Sequence, residues 1–282
     1  MADAHENLTS IRGTGLLSSE GFVRRHAVSV YFVVAFAISW FGSVLGLGPA
    51  YLRGGSVELS ELWLPGLIMI SGPCVAGLGL TYALDGREGL RALWGRLTRW
   101  RAGGWYAALL IFPILILATL VPLSILVSPK LTPSLFAPGM VMGLVAGPLE
   151  EVGWTGFALP RMRARHGILG ASLALGFVHA LWHGVADFLG NSNDFGEHWL
   201  PYFAGFFLFV MALRVLMGWV YANTESALLG QLMHASSTGF LGVLVPIGIG
   251  GSPWASFYTL YAVVIWGAAA VVVVRYGEKL VR

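Results

Sequence analysis

Charge is scarce in this sequence. Asp, Glu, Lys and Arg make up 11% of its 282 residues, against roughly 25% in an average soluble domain. A water-soluble globule of this length needs more charge to cover its surface. Cysteine is scarcer still: Cys74 stands alone, which excludes an intramolecular disulfide scaffold. Lysine is nearly missing, at two residues against fifteen arginines. The formal charge of +3 and the pI near 9.2 do not describe a nucleic-acid surface. The basic residues fall in short clusters between apolar stretches, and a preference for arginine fits a GC-rich genome. Disorder of the bulk is excluded as well, because it requires low hydrophobicity. Here 56% of residues are hydrophobic and the mean hydropathy is +0.74. What remains is an all-α polytopic membrane protein.

A helix needs about 20 apolar residues to cross the hydrocarbon core. Runs of that kind fall at 27–47, 63–84, 104–127, 135–158, 168–189, 200–222, 226–248 and 254–275. They predict a bundle of about eight transmembrane helices. The expected organisation is a polar N-terminal segment (1–26), a single transmembrane domain (27–275) with its motif-bearing core at 135–248, and a short tail (276–282). The first apolar run is too long for a signal peptide and lacks a small-residue cleavage site. Arg24 and Arg25, the Arg87–Arg101 cluster, Arg161, Arg163 and Arg165, and Arg275, Lys279 and Arg282 mark alternate loops. The intervening loops are poor in basic residues, with Arg53 beside Glu58 and Glu61, then Lys130, then Asp194 and Glu197. The positive-inside rule then puts both termini in the cytoplasm, and a bacterial inner membrane is the expected location. Glycine, 38 residues in all, suits close helix packing. Trp63, Trp100, Trp105, Trp199 and Trp254 near span ends read as interfacial anchors.

Ionisable side chains inside a span are costly, about 2.5–3.5 kcal/mol each at the helix centre on insertion scales. Here they concentrate in four consecutive spans: Glu150 and Glu151, then His179, His183 and Asp187, then Arg214, then His234. At a rise of 1.5 Å per residue, Glu150 and His234 both lie about 14–15 Å from the cytoplasmic side, with His183 somewhat deeper. Groups at similar depth on three helices can converge. His179 and His183 are four residues apart and share a helix face, as do His234 and Thr238, and Glu151 and Thr155. Adjacent Glu150 and Glu151 diverge by about 100° around the axis, so one can face a site while the other braces a neighbour.

A carboxylate can take a proton from water and make it a nucleophile. His and Glu side chains can hold Zn²⁺ with a position open for that water, and the ion lowers the water pKa toward neutrality. A hydroxyl such as Thr238 can donate to an oxyanion. This chemistry is amide hydrolysis within the membrane, with Glu150, Glu151, His183 and His234 as candidate catalytic residues. Glu150, His183 and His234 are the candidate ligands of a divalent metal, with His179 as an additional one. Structural readings compete. His179 alone reads as a packing histidine, Asp187 as a solvated end residue, and Arg214 as a partner for a carboxylate or a snorkelling cation. Trp154 and Trp182 read as packing. For the carboxylate pair the competitor is a proton or cation pathway, and Pro148 marks a place where the fourth span can break.

The run Glu150-Glu151-Val152-Gly153-Trp154-Thr155-Gly156-Phe157-Ala158-Leu159-Pro160-Arg161 resembles the first motif of the CPBP family, the CAAX-protease and bacteriocin-processing (Abi) membrane proteases. Ala180-Leu181-Trp182-His183 resembles the second motif, and Leu232-Met233-His234-Ala235-Ser236-Ser237-Thr238 the third. The likeness covers about 137–240, more loosely reaching Ser71-Gly72-Pro73 and the Asp85–Arg91 stretch. It implies an eight-helix bundle with Glu150 activating water and His183 and His234 in the same site. It also implies a membrane-associated peptide or protein substrate, prenylated or of bacteriocin type. Three positions depart from the pattern. Thr155 stands where the family has Arg, His179 where it has an aromatic residue, and Thr238 where it has Asn, whose amide offers more hydrogen-bonding groups than a hydroxyl. Such departures also suit a non-catalytic peptide-binding or immunity protein on this scaffold, and a proton-coupled carrier is the third reading.

Overall fold

The computed structural model describes residues 21–54 and 59–281. Most of the polar N-terminal segment, Glu58 and Arg282 therefore lie outside the described residues. Among those described there is no strand, and eight α-helices carry the fold. They are α1 (Ala27–Leu52), α2 (Leu59–Leu97), α3 (Ile111–Leu126), α4 (Gly139–Gly153), α5 (Leu159–Phe195), α6 (Trp199–Thr224), α7 (Ala227–Leu244) and α8 (Ser252–Tyr276). The chain is an all-α polytopic membrane protein. Its outer surface carries Val33, Phe41, Ile125 and Val274, each more than two-thirds exposed, while Glu150, Glu151, His179 and Arg214 are buried. That arrangement is the reverse of what water would select.

Five continuous helical stretches are long and apolar enough to cross a membrane, and they contain seven of the eight helices. The exception is α7, where the seventh of the eight crossings was expected. Gln231, His234, Ser236, Ser237 and Thr238 dilute its apolar content, so apolar crossings number about seven rather than eight. The longest stretch, Gly139–Thr224, is divided by its backbone. Gly167 takes φ 67° and bends α5, a conformation that L side chains rarely adopt. A short 3₁₀ turn, Gly196–His198, separates α5 from α6. Gly86, at φ 61°, breaks α2 in the same way.

Pro148 does not break the fourth span: α4 runs through it. The irregularity comes one turn after the carboxylates, where Trp154–Ala158 forms a π-helical turn joining α4 to α5. Such widened turns re-aim side chains and recur at functional sites. Glycine brings α4 against α7. A Cβ on Gly139, Gly143 or Gly147 would come within 2.4 Å of a backbone oxygen of Gly242, Ala235 or Gln231. This i, i+4, i+8 stripe lets the two backbones touch and so fixes Glu150 and Glu151 against His234. On the opposite side, Gly153 meets the Pro73 carbonyl and the Tyr31 hydroxyl. Of the expected interfacial tryptophans, Trp63 and Trp100 are exposed. Trp105 instead packs on Trp219, Trp199 on Phe203, and Trp254 on Tyr258.

Candidate active site

Side chains from α4, α5, α6 and α7 meet inside the bundle. Glu150 and Glu151 leave α4 in different directions, as their 100° offset requires. Glu150 Oε2 lies 3.1 Å from His179 Nε2 of α5 and 3.9 Å from His234 Nε2 of α7. Trp154 Nε1 donates to the same carboxylate oxygen at 3.3 Å. Its four-residue spacing keeps the indole on the Glu150 face. Glu151 serves a second group. Arg214 of α6 grips it at two points, Nη1 to Oε2 at 2.7 Å and Nη2 to Oε1 at 2.8 Å. His234 Nδ1 lies 2.7 Å from Glu151 Oε1, and the Thr155 hydroxyl donates to Oε2. Arg214 also reaches across, its Nε donating to His179 Nδ1 at 3.1 Å. One guanidinium therefore links the two carboxylates through a histidine.

His183 is half-buried where Glu150 and His179 are fully covered, so it forms the accessible edge of the cluster. Its ring lies 5.1 Å from that of His179 and packs edge-on against Trp182 and Phe206. Glu150, His179 and His183 each offer one ligand atom, and these atoms lie within 4.8 Å of one another. A carboxylate with two imidazoles is the donor chemistry of a Zn²⁺-type site, so the residues fit a divalent cation.

Thr238 is half-buried, and among the described residues no hydrogen bond ties it to this cluster. Asp187 is not a solvated end group. It is half-buried and accepts from Trp199 Nε1 at 2.8 Å, the Tyr202 hydroxyl at 2.7 Å and Asn191 Nδ2 at 3.3 Å, tying α5 to α6. Two residues are more than the sequence reading made of them. Trp154, read as packing, is a donor to Glu150, and the i, i+4 spacing was the available sign. Arg214, read as a structural partner or snorkelling cation, is the centre of the network. The available sign was the rule that a buried charge needs an opposite one, with Glu151 left over at similar depth.

Residues 132–240 match the family model described as type II CAAX prenyl endopeptidase Rce1-like. Over that stretch the chain is similar to the CAAX-type prenyl endopeptidases. It is also 28% identical over 102 residues to CAAX prenyl protease 2 of Methanococcus maripaludis, a match covering 35% of this chain and 38% of the relative. The chain thus spans well under half the length of the curated relative it matches. The matched region runs from just before α4 into α7, so it contains every residue of the cluster. In family terms Thr155 occupies the usual arginine position. The guanidinium beside Glu151 comes instead from Arg214, on a different helix.

Proposed function

We propose that this chain is an intramembrane endopeptidase that cuts a membrane-anchored peptide with water activated by Glu150. The observation that carries the reading is the placement of Glu150 Oε2 among His179, His234 and Trp154, inside the bundle and beside half-buried His183. Burial sets the carboxylate apart from bulk solvent, and the nearby imidazole and indole fix its direction. Glu150 takes a proton from a water molecule as that water's oxygen attacks the scissile carbonyl carbon. His183 and His234 steady the charge that develops on the carbonyl oxygen. The proton then passes from Glu150 to the departing amide nitrogen, leaving a carboxylic acid and an amine. Glu151 does not touch the reacting atoms; it orients His234 and balances Arg214.

Glu150, His183 and His234 are the residues we assign to a divalent metal, Zn²⁺ in the first instance, with His179 offered by distance as an alternative ligand. A cation bound there lowers the pKa of water and polarises a carbonyl. The family and the relative's name support a C-terminal prenyl-cysteine peptide as first candidate substrate, with a bacteriocin-type peptide as the alternative. We place the protein in a bacterial inner membrane with both termini cytoplasmic, on the arginine bias of alternate loops.

The test uses purified protein in lipid nanodiscs and a prenylated peptide. Glu150→Gln and His183→Ala should each abolish cleavage while leaving the helical content and elution profile unchanged. Undiminished turnover in both variants rejects the proposal. A second reading, a peptide-binding member without catalysis, is favoured by Thr155 and Thr238 standing in place of the motif's Arg and Asn. Tight peptide binding with no product in the wild-type protein would select it. Proton-driven uptake into vesicles would select a carrier.

A further inference from the structure

An imidazole beside a carboxylate can serve as donor or acceptor, and its other ring nitrogen decides which. A guanidinium has donors only. Arg214 Nε–H therefore donates to His179 Nδ1 at 3.1 Å, and that nitrogen carries no proton. Arg214 has no freedom to turn away, because Glu151 holds its Nη1 and Nη2. The single proton of the neutral His179 ring is then on Nε2, 3.1 Å from Glu150 Oε2, where it donates. His234 is set the other way. Its Nδ1 lies 2.7 Å from Glu151 Oε1, and a carboxylate paired to arginine only accepts. Nδ1 of His234 therefore bears the proton. Its Nε2 faces Glu150 Oε2 at 3.9 Å.

We propose that the Arg214–Glu151 ion pair is a positioning device that fixes a proton on Nε2 of His179 and on Nδ1 of His234, the two imidazoles flanking Glu150. His179 is a donor that aims and holds the Glu150 carboxylate. His234 is held by Glu151 through Nδ1, which turns its Nε2 toward Glu150. The inference rests on reading Glu150 as the base, and it changes the assignment of the site. Distance alone groups Glu150 with His179 and His183, but a protonated Nε2 has no lone pair for a metal. Proton accounting therefore takes His179 out of the ligand set and makes it a support of Glu150. A hydrogen-bonded carboxylate or imidazole behind a ligand is the usual means of orienting it. Here the pair also supplies the guanidinium that Thr155 does not.

The test reads the tautomers directly. The full chain, with ¹⁵N-labelled histidine, is placed in nanodiscs, and the two rings are assigned by the signals lost in His179→Gln and His234→Gln. The expected result is His179 protonated at Nε2 and His234 at Nδ1. The reverse pattern, or the same tautomer in both rings, overturns the proposal. Arg214→Lys keeps a cation for Glu151 but loses the fixed Nε–H that reaches His179, so the His179 signal should become a mixture of tautomers; an unchanged His179 signal also overturns it. If Arg214→Lys does not fold, His179→Gln and His179→Phe replace it. The amide retains a donor toward Glu150, so kcat should fall about 10- to 100-fold more in the Phe variant with KM unchanged. Equal kcat in the two overturns the proposal. The tautomer pattern is readable without turnover. Opposite tautomers in a protein that cuts no peptide would thus reject the endopeptidase reading and leave this one standing.

Discussion

Glu150 and Glu151 are consecutive in sequence and fully buried, yet they belong to different partners. Glu150 faces His179 at 3.1 Å, and Glu151 is held at two points by Arg214 at 2.7 and 2.8 Å. The division follows from helix geometry, since adjacent residues point about 100° apart. It separates the tasks of the pair. One carboxylate sits among imidazoles, and the other is neutralised so that it can hold an arginine and a histidine in place.

That neutralisation makes Arg214 a stability residue as well. Arg214→Met leaves Glu151 buried without its counterion, and breaking such a pair costs about 3–5 kcal/mol. Arg214→Met with Glu151→Gln should recover part of that loss, because neither charge is stranded. Thr155→Arg in the wild-type background puts two guanidinium groups on one carboxylate and should destabilise. In the Arg214→Met background the same change should be milder, giving a favourable coupling in a double-mutant cycle. Thermal unfolding in detergent, followed by circular dichroism, measures all four. Additive effects of Thr155→Arg and Arg214→Met would contradict the shared role.

Metal retention separates His179 from its neighbours. After loading with Zn²⁺ and desalting, wild type and His179→Gln should hold equal metal, and His183→Ala and His234→Ala should hold less by about tenfold or more. Elemental analysis of the purified proteins gives the answer. Loss of zinc from His179→Gln at the level of His183→Ala would make the distance-based trio the ligand set.

Asp187 carries three hydrogen bonds from α5 and α6 and none from the cluster. Asp187→Ala strands the Trp199 and Tyr202 donors and should cost about 1–3 kcal/mol. The kcat of the folded protein should stay within about twofold, as for substitutions that act on stability alone. A large fall in kcat with unchanged melting temperature would assign Asp187 to the chemistry instead.

The spans and the polar cluster were legible in the sequence because both rest on strong penalties. An apolar run near 20 residues has few alternatives to a membrane helix, and an acid at mid-span needs a partner. Glu150, Glu151, His179 and His234 were therefore nameable before any coordinates. The crossing at α7 was counted on its length, yet it is marginal because Gln231, His234, Ser236, Ser237 and Thr238 dilute its apolar content. The π turn at Trp154–Ala158 was not legible, since no breaker residue marks it; it lies where Gly153 meets Pro73 and Tyr31 and Gly156 meets Leu93. Arg214 was visible, but its two-way grip was not. Nothing in one chain says which of two carboxylates on another helix a guanidinium will reach.

The close approach of α4 and α7 is what holds Glu150 and His234 in one site, and it is testable away from both. A methyl group at Gly143 would lie 2.2 Å from the Ala235 carbonyl oxygen and 2.5 Å from the Gly239 nitrogen. Backbone cannot yield as a side chain can, so Gly143→Ala must push the helices apart. Overpacking of this kind costs about 1–3 kcal/mol. Gly79 lies in α2 with nothing within 4 Å of its would-be Cβ, and Gly→Ala in a helix interior gains up to about 1 kcal/mol. Gly143→Ala should therefore lower the melting temperature and kcat together, and Gly79→Ala should lower neither. The displacement also moves the Ala235 backbone beside His234, so the kcat loss should persist at temperatures where Gly143→Ala is fully folded. Full recovery of kcat at low temperature would mean that the spacing of these two helices governs stability without governing the site.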